Sequence, residues 1–141
     1  MEFNWLAHIV AAASSLVIGA IYYHPKVLGT KWMASANLTD DDLKGGNMAI
    51  IFGGAFVLAL IVSVFLKIHI DGAHLVSSGS ESHMTFGHGA LHGGITAFMV
   101  AMPIIVIIGM FERKKALNNL LHLGYWVITF AIMTGIVDAW R

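Results

Sequence analysis

Histidine carries the reactive chemistry available to this chain. The sequence has eight histidines and no cysteine, so thiolate metal sites, disulfides and cysteine nucleophiles are excluded. Imidazole titrates near neutral pH and is the commonest protein ligand for transition metals. His88 and His92 are four residues apart, which on a helix places them on one face, one turn from each other. That is half a site for zinc or another divalent transition metal, which takes three or four N or O ligands in tetrahedral array. His8, Asp138, Asp71, His69 and His74 are the residues that can complete it. The competing reading is plain: helix mouths lie in a polar zone where histidine is cheap, and His74 and His83 are simply solvated. A haem would want histidines deeper in facing helices, whereas histidine pairs can also act by protonating at about pH 6. The eight methionines are scattered at helical spacing and read as core filler more readily than as copper(I) ligands.

The elements that must position these residues are membrane spans. The chain has 141 residues, of which 57% are hydrophobic and 11% charged, against roughly 25% charged in soluble domains. A spanning helix needs about 20 mostly apolar residues, and residues 4–23, 48–70, 88–111 and 117–140 qualify. The fold class expected is therefore all-α, a four-transmembrane-helix bundle forming one integral membrane domain over residues 1–141. Pro103 should kink the third span rather than end it. The N-terminal apolar run lacks a basic n-region and reads as a retained helix rather than a signal peptide. Four antiparallel spans bring His8, His69, Asp71, His74, His83, His88, His92 and Asp138 to one end. His24 and His122 fall at the other end, where His122, beside Asn118 and Asn119, is expected to form a polar cluster with His24 or Tyr23.

Charge sets the orientation. Lys26, Lys31, Lys44, Arg113, Lys114 and Lys115 lie in the first and third connections, whereas Lys67 and Arg141 lie opposite. By the positive-inside rule both termini are expected outside a bacterial inner (cytoplasmic) membrane, with Trp5 and Trp140 at the outer interface and Tyr22, Tyr23 and Trp32 at the inner one. The first connection contains its own short interfacial helix: Pro25 suits a first helical position, and Val27, Leu28, Trp32 and Met33 supply an apolar stripe. Thr39 with Asp40, Asp41 and Asp42 reads as a helix N-cap with acids on the positive dipole end, not a calcium loop. Small residues recur every four positions on each span, as at Ala11, Ser15 and Gly19, at Ala55, Ala59 and Ser63, at Gly89, Gly93, Ala97 and Ala101, and at Ala131, Gly135 and Ala139. Such faces permit the close helix packing that drives association in lipid, within the bundle, in a homo-oligomer or against partner membrane proteins.

Several functions are disfavoured. A formal net charge of zero gives no electrostatic footprint for nucleic acid. Between their interfacial ends the spans carry no Asp, Glu, Lys or Arg on this reading, which argues against an ion-coupled transporter. No nucleophile–base pairing or phosphate-cradling loop is evident, so an enzyme is not the leading expectation. Three function classes remain: first a non-enzymatic protein with an outward-facing metal site, then a structural or accessory subunit acting through helix packing, and last a membrane enzyme using a bound metal to activate water.

The motifs Asn4-Trp5-Leu6-Ala7, Gly19-Ala20-Ile21-Tyr22-Tyr23-His24-Pro25, Gly29-Thr30-Lys31-Trp32-Met33, Leu38-Thr39-Asp40-Asp41-Asp42-Leu43, Gly46-Asn47-Met48-Ala49, His122-Leu123-Gly124-Tyr125 and Gly135-Ile136-Val137 resemble the small bacterial integral membrane proteins of domain-of-unknown-function family 1761. The resemblance runs over nearly the whole chain. The family pattern has Trp-Tyr-Ser-Pro where this chain has Tyr22-Tyr23-His24-Pro25. The resemblance implies a four-helix integral membrane protein and brings with it no activity, cofactor or catalytic residue.

Overall fold

In lipid every backbone N–H and C=O needs an internal partner, so long apolar runs become helices. A computed structural model describes residues 3–76 and 85–140, with side chains for all of these except 73–76. Six α-helices follow in order: α1 Trp5–Tyr22, α2 Thr30–Ala36, α3 Met48–Val76, α4 Phe86–Thr96, α5 Met102–Phe111 and α6 Ala116–Ala139. No strand occurs among the described residues. Four helical stretches are long and apolar enough to cross a membrane, namely Trp5–Tyr22, Met48–Gly72, Phe86–Phe111 and Ala116–Ala139. The all-α bundle expected from the sequence is the observed architecture.

Helix starts are set by local polar caps. The Asn4 side chain accepts from the Ala7 N–H at 3.3 Å, and Thr85 Oγ1 accepts from the His88 N–H at 3.2 Å, each satisfying an otherwise orphaned donor. Two span ends differ from expectation. The Thr85 cap starts α4 before His88, and α3 continues past Ile70 to Val76. That extension carries the helix on past both Lys67 and Asp71.

Pro103 has the anticipated effect in an unanticipated form. Its missing N–H and its ring disrupt the ladder one turn back, and residues Ala97–Ala101 take a π-helical turn between α4 and α5, a common way for a helix to absorb such a defect.

The first connection folds as its residues suggest. Pro25 opens a π-helical turn, Pro25–Gly29, that leads into α2. His24 is exposed and its Nδ1 accepts from the Lys26 N–H at 3.2 Å. After α2 the chain reverses through Asn37 in the left-handed region, φ 57°, a conformation asparagine tolerates. Thr39 then donates both its N–H and its hydroxyl to Asp42 Oδ2, each at 2.7 Å. The capping role therefore belongs to Asp42, reaching back in capping-box fashion, and the element it starts is a 3-10 turn, Asp42–Gly45. The Thr39 side-chain bond, followed by its backbone bond, holds the Asp42 carboxyl below its ordinary value of 3.8. A carboxyl depressed in the folded state stabilises the turn above its unfolded pKa and loses that contribution as pH falls through the folded value. A carbon-detected titration should therefore place Asp42 below the ordinary aspartate value, and Thr39→Val should return it toward 3.8.

α6 is the central helix: it packs along α1 and, most extensively, along α4, while α3 packs chiefly on α1. The core cluster joins Ala11 and Ala12 of α1, Ala59 and Leu66 of α3, and Met133 and Val137 of α6, with Phe56, Leu60 and Phe130 around it. Small residues make the approach close. A Cβ at Gly89 or Gly93 would collide with the backbone of α6 at Thr134 or Phe130, and one at Gly135 would meet the Phe86 ring at 2.6 Å. Gly87 and Gly94 face open space, so only one face of the glycine-rich helix mouth serves packing.

Candidate functional site

Ionisable and hydrogen-bonding side chains collect at the end of the bundle formed by the start of α1, the end of α3, the start of α4 and the end of α6. They fall into two groups, each spanning a helix pair.

The first joins α1 to α3. His8 is 1% exposed, shielded by the rings of Phe3 and Trp5 at 5.6 and 6.0 Å. Its Nδ1 lies 3.1 Å from Ser63 Oγ. The Ser63 hydroxyl donates its proton to the Leu60 carbonyl at 2.8 Å, so Ser63 accepts from His8 and the imidazole proton is assigned to Nδ1. One turn beyond Ser63, Lys67 is 3% exposed and pairs with Asp71 at 2.9 Å. Lys67 falls near the end of the candidate span Met48–Gly72 and is buried there. It turns inward and is neutralised by the carboxylate four residues on. Ser63, Lys67 and Asp71 stand at i, i+4 and i+8, so the spacing was a legible signal for one polar helix face.

The second group joins α4 to α6. His88 Nδ1 lies 3.1 Å from Asp138 Oδ2, and the Asp138 side chain is 1% exposed. The His92 ring centroid is 4.4 Å from that of His88, the one-turn neighbour relation that the four-residue spacing required. Gly89 permits this pairing, because a Cβ there would press on Asp138 Cβ at 2.7 Å.

The structure thus divides the sequence-derived candidates. His88, His92 and Asp138 come together. His8 instead engages Ser63, and Asp71 engages Lys67. His69 is exposed on the outside of α3, its ring stacked on Phe65 with centroids 5.9 Å apart, and does not join either group. His74 lies on α3 with its side chain outside the described residues, as does the whole of His83. Among the described residues no three His, Asp or Glu side chains form a group able to enclose a metal ion. Among the described residues His88, His92 and Asp138 are thus neighbours, with Asp138 against one nitrogen of the His88 ring.

At the opposite end the expected inner cluster is present, with Tyr23 rather than His24 as the partner of His122. The Tyr23 hydroxyl and His122 Nδ1 are 2.9 Å apart. Beside them Tyr22 donates to the Leu121 carbonyl at 2.8 Å and Tyr125 to the Ser15 carbonyl at 3.1 Å, tying α1 to α6.

A family model described as "Protein of unknown function (DUF1761)" matches residues 6–137. No curated protein and no solved structure matches the chain.

Proposed function

The chain belongs to the DUF1761 family, and we propose that it is a multi-pass membrane protein that binds a divalent transition metal through His88 and His92. The observation that carries this reading is the His88–Asp138 contact of 3.1 Å with the His92 ring beside it. A carboxylate accepting from one imidazole nitrogen fixes the ring and raises the basicity of the other, as in many zinc sites. A cation held there also gains the Asp138 charge in a medium of low dielectric. Zinc or a similar borderline ion fits the nitrogen donors, and water or a residue outside the described segments completes the coordination.

Protein purified without chelators should bind about one equivalent of zinc per site. Cobalt(II) substitution provides a visible spectrum that reports the nitrogen ligands. The His88→Ala/His92→Ala variant should lose the ion, and Asp138→Asn should weaken it by about 10–100-fold. His8→Gln should leave affinity unchanged, because His8 is engaged with Ser63. Metal binding that survives the double histidine variant would sink the reading.

A second reading, an accessory subunit acting by helix packing, is favoured by the glycine face that brings α4 onto α6. It predicts that the histidine variants leave function intact, while bulk at Gly93 or Gly135 abolishes it. Both readings take the chain as a single integral membrane domain in an inner membrane, with both termini outside by the distribution of Lys and Arg. In both, remaining lipid-facing helix surface is available for homo-oligomer contacts or partner membrane proteins.

A further inference from the structure

At the end of the bundle opposite the histidine pair, a cleft of about 320 Å³ opens between α2, α5 and the first half of α6. Its depth is apolar and aromatic, with Ile105 and Ile108 on α5, Trp32 on α2 and Trp126 on α6. Ile108 is 51% exposed on the lipid-facing side of α5, so the cleft is continuous with the hydrocarbon surface. Its lining also includes the charged side chains of Glu112 and Lys114, with Asn118, Asn119 and His122. Glu112 and Lys114 are placed by the turn that ends α5. The Lys114 N–H bonds the Gly109 carbonyl at 2.8 Å and the Arg113 N–H bonds that of Met110 at 3.2 Å, a Schellman motif with Arg113 at φ 54°. Arg113 at the apex is not part of the wall.

The α2 wall is pinned independently of any occupant. Lys115 Nζ donates to the Ala34 carbonyl at 3.3 Å, and Asn118 Nδ2 donates to Ser35 Oγ at 3.1 Å. Gly109 leaves room for the Asn119 amide, which a Cβ at that position would strike. The side-chain groups of Asn119, Glu112 and Lys114 and the indole N–H groups of Trp32 and Trp126 make no hydrogen bond to described residues. An apolar cleft with a few convergent, unspent polar groups is the general form of a ligand site.

We propose that this cleft binds the headgroup of a zwitterionic phospholipid bearing an ammonium group, a phosphatidylethanolamine-type lipid. Lys114, with the Asn119 amide and indole N–H groups, offers the donors a phosphate takes. Glu112 and the tryptophan faces receive the ammonium. One acyl chain leaves along Ile105 and Ile108. The acid in the lining is what selects against a purely anionic headgroup.

The test uses full-length, delipidated protein in detergent, with native mass spectrometry of adducts. Phosphatidylethanolamine should be retained in preference to phosphatidylglycerol with the same chains. Glu112→Gln and Lys114→Gln, both at exposed positions that leave the core alone, should each weaken the adduct by roughly three- to fivefold. Ala36→Trp should remove it by filling the cleft without altering either charge. Equal or better retention of phosphatidylglycerol would overturn the assignment, as would phosphatidylethanolamine binding unchanged in the Glu112→Gln/Lys114→Gln double variant. Soluble phosphoethanolamine binding as tightly as the lipid would overturn it too, moving the site to a small solute.

Discussion

Replacing Lys67 with methionine should destabilise the bundle by about 3–5 kcal/mol, the usual cost of removing one member of a buried ion pair. Lys67 and Asp71 side chains are 4% and 11% exposed and 2.9 Å apart. Methionine keeps the length of the aliphatic stem, so little packing is lost, and the penalty falls on the Asp71 carboxylate, which loses its buried Lys67 partner. Removing both charges, as Lys67→Met/Asp71→Leu, should recover most of the loss, since an apolar pair of similar volume costs no desolvation. Unfolding in mixed micelles or by steric trapping measures both. A single variant within about 0.5 kcal/mol of the parent, the range of ordinary surface changes, would show that Lys67 reaches water after all. If the double variant is stable yet inactive, the pair serves function rather than folding, the default expectation for ionisable groups inside a span.

The second large effect is expected at Gly93. A Cβ there would run into Thr134 Oγ1 and the Phe130 carbonyl of α6. Thr134 is fully buried and its hydroxyl already bonds the Phe130 carbonyl, so neither neighbour can rotate away cheaply. Alanine should cost about 1–3 kcal/mol by overpacking. Leucine should force α4 off α6, and with it separate His88 from Asp138, so metal affinity should fall together with stability. Gly94→Ala is the control. It adds the same methyl group to the same helix where nothing lies within 4 Å, and should stay within about 0.5 kcal/mol. Equal effects at 93 and 94 would mean that helix propensity, not the α4–α6 contact, is being read.

These two positions show where sequence reasoning carries and where it stops. The glycine spacing in 89–97 announced a packing face, and α6 is the helix it meets. The His88–His92 pairing followed from helical periodicity alone and is observed at 4.4 Å. Tyr23 and His122 were legible as neighbours from their matching depth at the ends of the first and last spans. The burial of Lys67 against Asp71 is not legible in the sequence, because a cation near an apolar run's end is normally a snorkelling residue. The continuation of α3 to Val76 depends on a polar segment with no helix-stopping proline, which composition alone reads as loop. His8 was grouped with His88 and His92 because all three share a depth, but depth says nothing of direction.

The sequence by itself determined the number of candidate spans, their approximate limits and the end of the bundle at which each described histidine stands. It could do so because the bilayer acts as a solvent on each segment separately, so length and apolar content suffice. Only the tertiary structure decided which side chains meet: His8 with Ser63, Lys67 with Asp71, His88 with Asp138. Successive helical residues point about 100° apart, and the rotation of each helix about its own axis is fixed by the neighbours it packs against. Here that rotation is set by glycine and alanine contacts around α6, and these turn His88 toward Asp138 while leaving His69 on the outer surface.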